Sequence, residues 1–126
     1  MRRALTLLAH ALVIWALCGA TMAIALQVTS SERALVAHAV AAPVAAAIVS
    51  AVYYGAFNYT SPLATAAVVT GVVALLDLLV VALLLQRSLG PFGRVMGLWL
   101  PLTLVFVQTA VSGYVARFGE RHRPRR

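Results

Sequence analysis

Hydrophobic residues come in four long blocks, at 4–26, 34–56, 62–86 and 95–116, with short polar breaks between them. Crossing the hydrocarbon of a bilayer takes about 20 apolar residues in helical form, so each block predicts one transmembrane helix. The fold class expected is all-α: an antiparallel four-helix transmembrane bundle, one domain over residues 1–126, with a basic tail at 117–126. The breaks carry the matching turn chemistry. Ser30 or Ser31 can cap the second helix, Ser61 and Pro62 suit the N-cap and first position of the third, and Gly90, Pro91 and Gly93 mark the last loop.

Within each block the polar and small residues recur at helical spacing, which predicts an inward face. The stripes are Thr6, His10, Leu17 and Thr21; His38, Ala42, Ala45, Val49 and Tyr53; Ala66, Thr70, Ala74 and Asp77; and Gly97, Pro101, Leu104, Gln108 and Ser112. Gly93 and Gly97 form a GxxxG spacing that allows a close helix crossing. Pro43 and Pro101 lie inside spans, where each frees a carbonyl that a neighbouring helix must satisfy. Tyr53, Tyr54 and Tyr59 read as an aromatic belt at one interface.

Composition agrees: 63% of the residues are hydrophobic and 10% charged, against about 25% charged in a soluble domain. All ten basic residues are Arg, which together with the Ala and Val richness reads as a bacterial coding bias. The net charge of +7 is no nucleic-acid signal, because Arg gathers at the two ends of the chain, at Arg2, Arg3, Arg117, Arg121, Arg123, Arg125 and Arg126. Arg33, Arg87 and Arg94 fall on the other side of a four-span protein. The imbalance places both termini in the cytoplasm of a cell whose inner membrane holds the protein. Met-Arg-Arg resembles the start of a signal peptide, but the apolar run is longer than the usual 7–15 residues of such a segment, so the first span is expected to be retained.

Candidate chemistry centres on Asp77, an acid well inside the third block. Placing a carboxyl there costs about 2.5–3.5 kcal/mol, so it should face the bundle interior or a wet cavity. Two roles stay open: a group that handles a proton or cation, and a polar tie between helices through Gln108 or a carbonyl freed by proline. Rise per residue puts Asp77 about 13 Å below the outer end of its helix, Gln108 near the midplane and His38 about 6 Å in. His10 shares a deeper level with Thr70 and Ser112. His10 and His38 are about 18 Å apart along the normal, too far for one haem iron or metal, and Cys18 has no second thiol to pair with. No metal, cofactor or catalytic constellation is expected. The candidate intramembrane polar set is Asp77, Gln108, His38, His10 and Thr70.

The combination of His38 and Pro43, Tyr53-Tyr54, the run from Phe57 to Pro62, Asp77 and Gly97-Leu98-Trp99-Leu100-Pro101 resembles a group of small, uncharacterised four-helix bacterial inner-membrane proteins, over residues 35–115. That resemblance implies a membrane fold and carries over no activity or site residue. The small multidrug exporters differ in having an acid in the first span, and the fluoride channels in having a Gly-rich, Asn-bearing second span. The reading that results is a non-enzymatic accessory or assembly module of a larger membrane complex. Its expected partners are the lipid bilayer, a membrane protein or a second copy of itself, and no nucleic acid. The alternative is a small oligomeric proton- or cation-coupled transporter or channel that uses Asp77.

Overall fold

The computed structural model describes residues 1–85, 87 and 95–122. The blocks fold as α1 (Arg2–Val28), α2 (Ser31–Ala56), α3 (Pro62–Leu76) and α4 (Leu100–Arg121). A π-helical stretch, Asp77–Leu85, prolongs α3, and a shorter one, Val95–Trp99, leads into α4. Among the described residues there is no strand. All four helices are long and apolar enough to cross a membrane, and the all-α four-helix bundle stands as expected.

The boundaries move outward. α1 and α2 each begin ahead of the predicted spans, and the fourth helix runs on to Arg121 rather than ending at 116. Five residues assigned to a tail are therefore helix, because nothing from Arg117 to Arg121 breaks an α-helical backbone. His122 ends it, its Nδ1–H donating to the Phe118 carbonyl at 2.9 Å. Gln86, the loop residues 88–94 with Gly93 and Arg94, and the tail at 123–126 lie outside the described residues. Gly97, the other half of the GxxxG, is partly buried in the wide turn before α4. That turn stands immediately ahead of Pro101, which has no N–H to return to the Gly97 carbonyl, so the regular hydrogen-bond ladder cannot continue backward unchanged.

Around the bundle the helices follow the order α1, α2, α4, α3, each packing on its two neighbours. The interior is built of small residues: Ala11, Ala34, Ala42, Ala46, Ala66 and Ala82 are all 0% exposed. Large aliphatic side chains such as Leu5, Ile24, Val40, Ile48, Leu75 and Leu84 face outward. A water-soluble bundle does the reverse, since exposed apolar patches of this extent drive association in water. In lipid the arrangement is stable, because tight backbone packing rather than apolar burial holds membrane helices together. The chain is thus an integral membrane protein by its fold.

The turn that joins α2 to α3 is held by a set of side-chain hydrogen bonds. Ser61 is the N-cap as expected: its Oγ accepts from the Ala64 N–H at 3.3 Å, and Pro62 follows at the first helical position. Asn58 takes φ 42° in the turn, a conformation that Asn tolerates better than most residues. Tyr53 and Tyr54 do not form the interface belt that their position in sequence suggests; they are 1% and 3% exposed. Tyr53 hydrogen-bonds Thr60 at 3.0 Å, and Thr60 bonds Thr65 at 2.6 Å. Tyr54 donates to the Pro62 carbonyl at 3.4 Å. Their hydroxyls are spent on the turn, which lets the rings sit inside. Here Gly113 of α4 is required, since a Cβ on it would lie 2.5 Å from Tyr54 Cζ and 2.8 Å from Pro62 Cβ.

Candidate functional site

Three helices bring polar groups together in the half of the bundle away from that hairpin. From α1, Trp15 donates its indole N–H to Asp77 Oδ1 at 2.9 Å. From α2, the His38 ring lies 3.2 Å by Nδ1 from the Cys18 carbonyl. A carbonyl only accepts, so Nδ1 carries the proton and Nε2 is the remaining ring nitrogen. His38 and Cys18 are both within electrostatic reach of the Asp77 carboxyl. Asp77 thus looks into the bundle, only partly buried, at the junction between α3 and its π-helical extension. Runs of π-helix are rare and are often found at functional sites.

Not every predicted site residue joins this cluster. Gln108 does not reach Asp77; its Nε2–H donates to Ser112 Oγ at 3.3 Å, one turn along its own helix. His10 lies at another level, its Nδ1–H donating to the Thr6 carbonyl at 2.7 Å. Its ring meets Tyr53 and Phe57 edge-on, with centroids 5.3 and 5.6 Å apart. It is a packed histidine of the hairpin end. Thr70 points elsewhere again: its Oγ1 is buried without a hydrogen-bond partner among the described residues, and its side chain helps line a groove of about 430 Å³ between α3 and α4. Ala67, Gly71, Ala74, Leu102 and Phe106 make that groove apolar. Pro43 is partly buried in mid-α2 and Pro101 is buried at the start of α4, both positions consistent with helix packing.

The inward stripes need correction on three helices. α1 buries Leu7, Ala11, Ile14, Cys18 and Ala25, while Leu17 faces out. Thr6 and Thr21 fail as markers because each hydroxyl donates to a carbonyl four residues back, Arg2 and Leu17, at 2.9 Å. A threonine so satisfied on its own helix can face lipid. In α3 the buried line is Thr65, Ala66, Val69 and Val73, with Thr70, Ala74 and Asp77 at its margin. In α4 it is Pro101, Val105, Thr109 and Gly113, one step round from Leu104, Gln108 and Ser112. The interhelical pair there is Ser50 donating to Thr109 at 3.4 Å. Only the α2 stripe holds through Ala42, Ala45, Val49 and Tyr53.

Trp15 is the member of the cluster that lies outside the polar set expected from the sequence. A signal existed. A mid-span indole N–H requires an acceptor, and Trp15 and Asp77 stand at matching depth, each about 20 Å from the hairpin end of its helix at 1.5 Å per residue. Among the described residues, no three His, Cys, Asp or Glu side chains converge on a point that could hold a metal ion. Set against protein-family models, curated proteins and solved structures, the chain matches none of them. No residue role can therefore be taken from a relative.

Proposed function

We propose that this protein is a non-enzymatic accessory or assembly module of a larger complex in the bacterial inner membrane, with both termini in the cytoplasm. The observation that supports it is how the interior polar groups are used. Asp77 is bound to Trp15, His38 to the Cys18 carbonyl and Ser50 to Thr109, each pair between two helices. Polar groups joined to each other tie helices together, and the described groove that opens outward is apolar. Such a molecule offers surfaces to other apolar partners rather than a reactive centre to a substrate. Purified from native membranes in mild detergent, it should travel with another membrane protein in fixed ratio. Recovery only as a free species counts against the proposal.

A second reading is favoured by one feature, the Asp77 carboxyl bonded to Trp15 of another helix, with His38 of a third helix within electrostatic reach. In a small oligomeric transporter or channel this carboxyl would handle a proton or cation, the default expectation for an acid at such depth. Asp77→Asn keeps the shape and an acceptor for Trp15. It should then abolish pH-dependent flux into liposomes while the helical circular-dichroism signal is unchanged; flux equal to that of the unaltered protein removes this reading.

A further inference from the structure

We propose that the outward face of the last two turns of α4 binds the headgroup of an anionic phospholipid. This goes beyond the accessory role and depends only on the bundle lying in a membrane. At 3.6 residues per turn, Tyr114, Arg117, Phe118 and Arg121 fall within an arc of about 100°. All four are exposed, the two rings at 44% and 62%. Because α4 continues as regular helix to Arg121, both arginines keep this register where the helix leaves the apolar layer.

The spacing suits one phosphodiester. Side chains four apart on a helix have Cβ atoms about 6 Å from each other, so two guanidinium groups can hold one phosphate between them. Among the described residues neither Arg117 nor Arg121 is in a salt bridge, and the Arg117 guanidinium lies within electrostatic reach of the Tyr54 hydroxyl. Glu120, the nearest acid in sequence, points round the helix and accepts from Asn58 Nδ2 at 3.5 Å. The same face continues toward the bilayer through Val111 and Val107, 47% and 49% exposed. An acyl chain can lie along that track while the Tyr114 and Phe118 rings occupy the boundary between chains and headgroups. A free phosphate would gain nothing from the track, so the ligand is a lipid.

Among the described residues, no two arginines at the opposite end stand one helical turn apart. There Glu32 and Arg33 share the first turn of α2, with opposite charges side by side. At the hairpin end Arg3 is placed over the Tyr59 ring, 5.9 Å from its centroid, and adds positive potential without joining the α4 face.

The test uses the full chain, delipidated in mild detergent and offered phosphatidylglycerol or phosphatidylcholine, with retained lipid counted by native mass spectrometry. Phosphatidylglycerol should be retained preferentially. Each arginine near a membrane surface contributes about a five-fold preference, so Arg117→Gln with Arg121→Gln should cut retention by at least about ten-fold. Lysine at both positions should restore most of it, and Arg33→Gln should leave it unchanged. The single variants serve if the double variant loses its helical signal. Equal retention of both lipids, or retention indifferent to the double variant, overturns the proposal. So does displacement of the lipid by millimolar inorganic phosphate, which would make the site one for a free anion.

Discussion

The two halves of the bundle are built on different terms. At the hairpin end, hydrogen bonds link Tyr53, Thr60 and Thr65 and join Tyr54 to Pro62, and Gly113 is there because no methyl group fits. In the other half, a partly buried carboxyl accepts from an indole where α3 widens into a π-helix, and a groove opens between α3 and α4. The first half is closed by side-chain fit. The second holds its helices by a few polar contacts among looser walls. Stability should therefore be concentrated at the hairpin end, leaving the region around Asp77 freer to change without unfolding the protein.

The glycines and the indole offer ways to break that contrast. Gly113→Ala should have the largest effect, about 1–3 kcal/mol of destabilisation, because Tyr54 and Pro62 must move to admit the methyl group. Denaturant titration in detergent micelles, followed by circular dichroism, would measure it. A value near zero would show that the hairpin end gives way easily and that the two halves do not differ as described. Trp15→Phe comes next. It removes the donor to Asp77 and should cost about 0.6–1.7 kcal/mol, the range for interhelical hydrogen bonds in membranes. A larger loss in the same titration would make the Asp77 cluster the main brace. The smallest effect belongs to Gly71→Ala on the groove wall, where a Cβ meets nothing within 4 Å. Relief of the helix penalty of glycine should then leave stability unchanged or raise it by up to about 1 kcal/mol, and any destabilisation would mean that the groove is more tightly closed than its walls suggest.

Four apolar blocks, each longer than a bilayer is thick, leave one economical solution for the backbone, since every N–H and C=O must be satisfied within a helix. That is why the helix number, the class and the Ser61-Pro62 start of α3 could be read directly from residue order. The α2 stripe was also legible, because a helix rich in alanine has few candidates for its packed face. The α1 and α4 stripes misled for one reason: a threonine or glutamine can satisfy itself on its own helix, as Thr6, Thr21 and Gln108 do, so polarity does not by itself mark the inside.

Residue order by itself determined a membrane bundle with an acid turned inward, because length and hydropathy are properties of single segments. Tertiary structure alone decided that acid's partner, Trp15, and the need for glycine at position 113. Both depend on which helices are neighbours and on how each is rotated about its axis. In lipid that rotation is chosen by the fit of small surfaces, a sum over pairs of helices that no one segment contains.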